Sequence, residues 1–367
     1  MKHSIMHKTL LALASAGLLT SATAQAAGSL KIFNWSDYIA EDTIANFEKE
    51  TGIKVTYDVY DSNETLDARL LTGRSGFDVV VPSNHFLSKQ IDAGVYQELD
   101  HSKLTNMANL DPALMAQLEE VGLGTRYAIP YMWGTNGIGY NVDKVTAILG
   151  EDAPLDSWDL VFNPEIAAKL ASCGISMLDS GDDMMTSAMG YLGLDPNSND
   201  ADDLKKAEDL LMSVRGSVRY FHSSRYISDL ANGDICVAVG FSGDVFQAAD
   251  RANEAENGVN IAYSIPKEGT QLWFDMMAIP KDAPNVANAH TFINYILRPE
   301  VVAPITDYVA YANPNKAANA LVDQDILNDP AIYPTEEVMA KLYIAKPRPL
   351  AAQRIVTRSW NRVKSGR

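Results

Sequence analysis

Short apolar runs alternate with amphipathic stretches between Ser29 and Gly94. The runs have the length of strands, and the stretches between them space their apolar residues as helices do. The predicted strands are Leu30 to Asn34, Lys54 to Tyr60 and Phe77 to Val81, and the predicted helices are Glu41 to Lys49, closed by Gly52, then Thr65 to Leu71 and a helix that ends at Gly94. This order predicts a βαβαβ unit, in which ligands bind beyond the carboxyl ends of the strands.

A second run of the same kind follows Asn136. Its predicted strands are Gly137 to Tyr140, Gly174 to Leu178 and Ile235 to Val239, and helices such as Ala201 to Met212 connect them. Two further extended stretches, Val259 to Ile265 and Leu272 to Ile279, indicate that the chain returns to the first unit. We therefore predict the α/β class with two domains. Residues 27–136 and 262–300 are assigned to the N-terminal domain, and residues 137–261 and 301–367 to the C-terminal domain.

The first 26 residues have the pattern of a secretory signal peptide. Lys2 and Lys8 flank the start of an apolar run from Leu10 to Leu19, and small residues lead to Ala26. This run is shorter than the roughly 20 residues that a membrane helix needs. We therefore expect cleavage after Ala26 and a soluble protein in the periplasm.

The chain is strongly acidic, with a formal net charge of −17. Loss of Lys2 and Lys8 with the signal peptide makes the mature chain more acidic still. Such a surface repels nucleic acid and attracts small cations, although solubility alone explains many acidic proteins. The chain is also longer than the chains that usually fold around a single hydrophobic core, in agreement with two domains.

Cys173 and Cys236 are the two cysteines of the sequence. Export places them in an oxidising compartment, so a single disulfide is expected, with a stabilisation of about 4 kcal/mol for a long loop. A catalytic cysteine is the alternative, but no known motif accompanies either residue.

Aromatic and acidic residues follow several of the predicted strands. Because carboxyl strand ends of two domains can face one cleft, these groups can converge on one ligand. The alternative is ordinary helix capping by Ser36 or Asp37, with the aromatic side chains in the core. The clusters are Trp35-Ser36-Asp37-Tyr38, Phe241-Ser242-Gly243-Asp244, Leu272-Trp273-Phe274-Asp275 and the acids Asp179, Asp182 and Asp183.

Aromatic rings combined with carboxylates fit an alkyl-ammonium ligand. The rings bury its methylene groups and attract its charge, at about 0.5 to 2 kcal/mol per contact. Carboxylates accept charge-assisted hydrogen bonds from its ammonium groups. An anionic or sugar ligand predicts Arg, Asn and Gln at these strand ends instead.

Catalytic motifs are absent from the sequence. His85, His101, His222 and His290 have no metal-binding spacing and are interpreted as surface or satisfied core residues. No nucleophile-elbow, phosphate-loop or dinucleotide motif occurs. The neighbouring acids Asp182 and Asp183 leave a secreted hydrolase as an alternative, although such pairs usually lie on a solvated face or at a helix start.

Several strings in the sequence resemble those of the periplasmic putrescine- and spermidine-binding proteins of polyamine ABC transporters. The similarity extends through the whole mature chain and keeps the same order, which makes it more specific than any one motif. The strings are Asn34 to Ile39, Phe77-Asp-Val-Val-Val-Pro-Ser83, Phe221-His-Ser-Ser224, Ala231-Asn-Gly-Asp-Ile-Cys236, Ser264-Ile-Pro-Lys-Glu-Gly269 and Tyr311-Ala-Asn313.

This resemblance implies an α/β, two-domain periplasmic binding protein type II fold with a hinge, an interdomain cleft and a Cys173–Cys236 disulfide. It implies a monomeric binding protein without a cofactor, metal or enzymatic activity, which delivers spermidine or putrescine to an inner-membrane ABC permease. The ligand-binding residues that it implies are Trp35, Ser36, Asp37, Tyr38, Ser83, Asp183, Phe241, Asp244, Trp273, Asp275 and Tyr311.

Three of these positions bear on the choice of ligand. Asp183 and Phe241 stand where the putrescine binders carry Glu and Trp, and Trp273 resembles the spermidine binders. An indole also buries more area and offers a stronger cation surface than a phenyl ring. We therefore expect spermidine to bind more tightly than putrescine. A receptor for another organic cation remains the alternative, but an amino-acid ligand would need an Arg, which these segments lack.

Overall fold

The computed structural model describes residues 28–367. The predicted signal peptide, residues 1–26, and its cleavage point lie outside the described residues. The strands are β1 Ser29–Trp35, β2 Lys54–Tyr60, β3 Val79–Val80, β4 Ala128–Asn141, β5 Ile175–Met177, β6 Val218–Phe221, β7 Val237–Phe241, β8 Ile261–Ser264, β9 Gln271–Ala278 and β10 Tyr343–Ile344. The helices are α1 Thr43–Thr51, α2 Asn63–Leu71, α3 Asn84–Asp92, α4 Pro112–Glu120, α5 Val142–Leu149, α6 Asp159–Phe162, α7 Pro164–Leu170, α8 Gly181–Tyr191, α9 Ala201–Val214, α10 Tyr226–Ala231, α11 Ser242–Glu254, α12 Val286–Ile296, α13 Pro299–Val309, α14 Gln324–Leu327, α15 Glu336–Met339 and α16 Leu350–Ser365.

The predicted βαβαβ unit is confirmed, although the bounds of several elements differ from the predicted ones. Helix α1 ends, as predicted, at Gly52, which has the left-handed conformation (φ 73°) that favours glycine. The predicted strand Phe77 to Val81 is paired only over Val79–Val80. It ends there because the Val81 carbonyl accepts hydrogen bonds from the side chains of Trp35 and Tyr60, and Pro82 has no N–H to donate.

The strands form one curved ten-stranded sheet in the order β2-β1-β3-β9-β4-β7-β5-β6, with β10 beside β9 and β8 beside β4. Parallel pairs lie toward both ends of the sheet, and the central strands β9, β4 and β7 are antiparallel. The first half of β4 pairs with β9, and its second half pairs with β7 and β8. Strand β4 therefore runs through both halves of the molecule.

Separate hydrophobic cores define two lobes. The first lobe contains β1, β2, β3, β9 and β10, the first half of β4, and helices α1 to α4, α12 and α13. The second lobe contains the second half of β4, β5 to β8, α5 to α11 and α16. Besides β4, the segments between Ser264 and Gln271 and between Ile344 and Leu350 join the lobes. This is the α/β architecture with a hinge that the sequence predicted.

The sequence-based domain boundaries remain a prediction. Residues 301–367 were assigned to the C-terminal domain, but the core packing divides this segment. Helix α13 packs in the first lobe through Val302, Ile305 and Val309, whereas α16 packs in the second through Val356 and Val363. The apolar stripe of each helix, rather than its place in the sequence, decides which core it joins.

The predicted Cys173–Cys236 disulfide is present within the second lobe. Cys173 precedes β5 and Cys236 precedes β7, so the bond joins the starts of two paired parallel strands. Residues 28–367 contain no free cysteine, which removes the catalytic-cysteine alternative. Across the same described residues, no helix has both the length and the apolar character needed to cross a membrane.

Candidate functional site

A cavity lies between the two lobes, at the carboxyl ends of strands from both. The space between its lining residues amounts to about 380 Å³ when the open solvent at its mouth is included. The first lobe contributes most of its wall, and the second contributes Ser223, Phe241 and Asp244. The lining residues are Trp35, Ser36, Tyr38, Asp61, Ser83, Ser223, Phe241, Asp244, Trp273, Asp275 and Tyr311.

Five aromatic rings surround the cavity in an almost continuous belt. Trp273 lies edge-to-face with Phe241 at 5.7 Å and with Tyr311 at 5.4 Å between ring centroids. Trp35 contacts Phe241 at 6.1 Å, and Tyr38 contacts Tyr311 at 5.1 Å, in the same manner. Since Phe241 belongs to the second lobe and the other four rings to the first, the belt closes only when the lobes meet.

The indole of Trp273 fits against the strand beside it because residue 134 is glycine. A Cβ atom at Gly134 would lie 2.8 Å from the indole ring, closer than side chains tolerate. Gly134 is the cross-strand partner of Trp273 in the β4–β9 pair. The missing side chain thus leaves room for the indole of Trp273 in the wall of the cavity.

Asp275 points into the cavity from β9. Its Oδ1 accepts a hydrogen bond of 2.6 Å from Ser83, whose hydroxyl is itself held by Asn63 at 2.9 Å. The phenol of Tyr38 lies close to the carboxylate of Asp275, whose charge adds to the rise that burial causes in the pKa of Tyr38. Burial raises the pKa of Asp275 to about 7, against the opposing effect of the Ser83 hydrogen bond.

Asp244 enters from the second lobe, in the first turn of α11. Its two carboxylate oxygens accept hydrogen bonds from Tyr226 (2.7 Å) and from Tyr311 (2.6 Å) across the cleft. Burial raises the pKa of Asp244 to about 6, although both hydrogen bonds favour the charged form. Tyr311 therefore connects the lobes through the carboxylate itself.

These two carboxylates lack a cationic partner inside the cavity. No Lys, Arg or His belongs to the set of residues that line it. A buried carboxylate without a counter-ion is unstable in its charged form, which is why both pKa values rise. The cavity is therefore arranged to receive positive charge from a ligand.

Two residues from the sequence-based set lie outside the cavity wall. Asp37 has a left-handed backbone (φ 54°) that turns its side chain toward solvent, where it forms a 2.7 Å ion pair with Arg251 of the second lobe. Asp183 is buried in the first turn of α8 and accepts a 3.2 Å hydrogen bond from Asn136. The other nine residues of the set come together around the cavity.

The alternative interpretation by helix capping fails for the first cluster. Helix α1 begins at Thr43, well beyond Ser36 and Asp37, and Asp42 precedes it. The second cluster does meet a helix, since Phe241 precedes α11 directly. Even so, the carboxylate of Asp244 accepts from two tyrosines rather than from the free backbone N–H groups of the helix.

Asp182 and Asp183 do not form a catalytic pair. Asp182 forms ion pairs with Arg348 at 3.3 Å and with Lys89 at 3.6 Å, and it accepts a hydrogen bond from Gln353. The sequence predicted either a helix start or a solvated face for this pair of acids. The two acids do lie at the start of a helix, but both are buried. A charge-neutralised carboxylate is a poor acid or base for hydrolysis.

Sequence reasoning missed several residues of the site. Asp61 directly follows β2 and Ser223 lies just beyond β6, so the strand-end argument applied to all strands would have found both. Tyr226, which holds Asp244, carries no local signal because it starts a helix far from the other clusters. His85 was expected to be a surface or satisfied residue, but it is buried, and neither ring nitrogen has a hydrogen-bond partner among the described residues.

Comparison with known proteins agrees with this geometry. The profile of the bacterial extracellular solute-binding protein family matches residues 42–335. The putrescine-binding periplasmic protein SpuD of Pseudomonas aeruginosa (strain UCBPP-PA14) is 58% identical over 98% of both chains. The putrescine-binding periplasmic protein PotF of Escherichia coli (strain K12) is 56% identical over 92% of both chains.

A solved structure shares the whole architecture. It is described as a putative spermidine/putrescine ABC transporter from Listeria monocytogenes and has a TM-score of 0.81 at 35% identity. The match covers 92% of the present chain and 99% of that one.

Proposed function

The chain belongs to the bacterial extracellular solute-binding proteins, and on this basis we propose that it captures a linear polyamine in the periplasm and delivers it to an ABC permease of the inner membrane. One observation carries the proposal: Asp244 and Asp275 are buried without a cationic partner inside an aromatic belt. The protein acts as a monomeric receptor, without catalysis or a cofactor.

The proposed binding mode follows from the positions of the charges. One ammonium group replaces the missing partner of Asp275 and another approaches Asp244, and each makes charge-assisted hydrogen bonds. The methylene groups between them lie against the rings of Trp35, Trp273 and Tyr311, which also attract the cations. The proposed ligand-binding set keeps the eleven residues that the resemblance implied, of which Asp37 and Asp183 lie outside the cavity wall, and adds Asp61 and Ser223.

Other ligand classes fit less well. A cationic amino acid would bring a carboxylate into a cavity whose lining residues include no positive side chain. Placing this negative charge beside two buried carboxylates would cost free energy without compensation. A cation of another kind fits the cavity only if it presents its charges at a similar spacing, which makes the spacing itself a test.

Calorimetric titration of the mature protein with putrescine, cadaverine, spermidine and spermine tests the proposal. We expect saturable binding of at least one of them, and none of 1,4-butanediol, which has the same chain as putrescine without its charges. Failure of all four polyamines to bind would refute the proposed function. Equal binding of butanediol would show that the carboxylates do not recognise charge.

Closure of the lobes on the ligand is a further expected result. Asp244 and Phe241 reach the first-lobe residues only when the lobes meet, so a ligand held by both stabilises the closed arrangement. Small-angle scattering should show a smaller radius of gyration after addition of polyamine. Butanediol is the control, and identical profiles with and without polyamine would contradict closure.

Trp273→Phe tests the expected preference for spermidine. The indole N–H of Trp273 has no hydrogen-bond partner among the described residues, so the substitution removes ring area without breaking a bond. We expect spermidine affinity to fall more than putrescine affinity, because the larger ring stacks on the internal ammonium that putrescine lacks.

The names of the two bacterial relatives favour putrescine, whereas Trp273 favours spermidine. Titration of the parent protein decides between them. A parent that prefers putrescine, or a variant that loses both affinities equally, would contradict this account of selectivity and leave the polyamine proposal intact.

A further inference from the structure

The last 30 residues of the chain differ in charge from the rest of it. Residues 338–367 contain eight of the 30 lysines and arginines of the sequence and none of its 47 acidic residues. The whole chain has a net charge of −17, so the sign of the charge is reversed in this segment. Such an asymmetry indicates an interaction surface, since the acidic remainder already makes the protein soluble.

Helix α16 arranges three of these charges in a row. Arg354, Arg358 and Arg362 follow one another at intervals of four residues, so their side chains share one exposed face of the helix. We call this row the arginine stripe. Arg362 donates from Nε and Nη2 to the two carboxylate oxygens of Glu208 on α9. The guanidinium groups of Arg354 and Arg358 have no hydrogen-bond or ion-pair partner within residues 28–367.

The stripe does not stabilise the helix that carries it. Like charges four residues apart on a helix repel one another. The helix dipole favours cations only near the last turn, whereas Arg354 and Arg358 lie in the first nine residues of the 16-residue helix. No acid follows Glu337 in the sequence, so nothing within the segment offsets the repulsion. A partner outside the chain therefore explains the two open arginines better than the stability of the fold does.

The stripe lies beside an opening between the lobes. A second cavity, of about 1020 Å³ with the solvent at its mouth included, separates α2 and α3 of the first lobe from α16. Gln353, Thr357 and Asn361 of α16 line this cavity. Each arginine of the stripe follows one of these residues by one position, which places the stripe about 100° around the helix from the cavity wall. A partner bound to the stripe would thus contact the second lobe next to the opening.

We infer that the arginine stripe docks an acidic segment of the membrane permease that receives the ligand. The inference rests on the proposed transport function and deepens it by naming the surface and the chemistry of this contact. A guanidinium group binds a carboxylate through two parallel hydrogen bonds, and the Arg362–Glu208 pair makes this contact on the same face. Arg354 and Arg358 offer the same contact to two carboxylates of the partner.

An anionic membrane surface fits the stripe less well than an acidic protein segment does. A bilayer is continuous, so it would also meet acids such as Glu64 and Asp67 across the opening. Charges closer than the screening length, about 8 Å at physiological ionic strength, still repel. The apolar face of α16, with Val356 and Val363, packs in the core of the second lobe and is not available to lipid. A short acidic segment contacts the stripe alone.

Replacing Arg354 and Arg358 together by glutamine tests the inference, because glutamine keeps a long polar side chain without the charge. The assay is the uptake of radiolabelled spermidine and putrescine by cells whose only copy of the gene encodes the variant, at low expression, where docking limits the rate. We expect uptake to fall about tenfold, because two ion pairs are lost and each contributes about threefold. The double substitution Arg354→Glu with Arg358→Glu adds repulsion and should lower uptake about a hundredfold.

The binding site itself should be unaffected by these substitutions. We expect the calorimetric affinities for both polyamines and the melting temperature to equal those of the parent protein in both double variants. Arg74→Gln combined with Lys169→Gln is the matched control, since it removes two positive charges from exposed residues outside α16. Uptake in this control should equal that of the parent protein.

The outcomes separate this inference from the proposed function. Uptake at the parent rate in both arginine variants would overturn the docking surface while polyamine binding stands. A loss of polyamine affinity that accounts for the lost uptake would overturn it too, because the arginines would then act on the ligand. Binding of the parent protein, but not of the variants, to vesicles of equal parts phosphatidylethanolamine and phosphatidylglycerol would replace the permease by lipid as the partner. Absence of polyamine binding in the parent protein would refute the proposed function and this inference with it.

Discussion

Asp244→Asn and Asp275→Asn should each lower polyamine affinity by roughly 30-fold to several thousand-fold. Removing one member of a buried, hydrogen-bonded charge pair typically costs about 2 to 5 kcal/mol. Each carboxylate is the proposed partner of a buried ammonium group in the cavity, where Asp61 is the third acid of the lining. Calorimetric titration of each variant with spermidine and putrescine measures the loss.

The fold should survive these substitutions. In the ligand-free protein, asparagine removes a charge that burial disfavours, and its amide oxygen still accepts from Ser83 or from a tyrosine. We therefore expect a melting temperature at pH 8 equal to or above that of the parent protein. Asp250→Asn is the control, because it makes the same charge change on helix α11 outside the cavity. Unchanged affinity in both cavity variants would remove the site assignment, and parallel loss of stability and binding would indicate a structural role.

Polyamine affinity should fall steeply between pH 8 and pH 5. Both cavity carboxyls have raised pKa values, about 6 for Asp244 and about 7 for Asp275, and the ligand needs both ionised. If each must lose its proton before binding, the affinity falls by about a hundredfold to a thousandfold over this range, because one unit of pH below a pKa costs about tenfold. Titrations in buffers of different ionisation enthalpy should also show proton release on binding.

Stability without ligand should change with pH in the opposite direction. A carboxyl whose pKa is raised by folding binds its proton more tightly in the folded state, so its contribution is present at low pH. This contribution is lost as the pH rises from the unfolded value, about 4, through the folded values near 6 and 7. Asp275→Asn should flatten both pH profiles. Affinity that does not depend on pH in the parent protein would contradict the ionisation argument.

The strand-end argument identified most of the cavity from sequence because the strands themselves were predictable. Trp35, Phe241 and Asp275 follow or lie in runs with clear apolar patterns. Once these runs are assigned as strands of one sheet, the three residues are expected to lie close together. Ser83 also follows a predicted strand, whereas the resemblance to polyamine-binding proteins alone added Tyr311, which has no motif of its own.

Other features depend on contacts that no local pattern encodes. Asp37 was grouped with its neighbours, but a left-handed backbone turns it out to Arg251, and only a folded second lobe supplies this partner. Tyr226 of α10 donates a hydrogen bond to Asp244 of α11, and α13 joins the first lobe through its apolar stripe. These contacts join residues that are distant in sequence. They are therefore determined by the packing of the whole chain and not by the local sequence around any one residue.

The insertion of β9 between β3 and β4 has a consequence for the order in which the protein folds. The first-lobe sheet remains interrupted until residue 278 has emerged, because β3 and β4 meet only through β9. The strands of the second lobe are contiguous between β4 and β8, and its disulfide closes within the same stretch. Contacts between residues close in sequence form faster than contacts between distant ones. We therefore expect the second lobe to fold before the first lobe, which then packs against it. The halves of the ligand cavity would then arise at different times during folding.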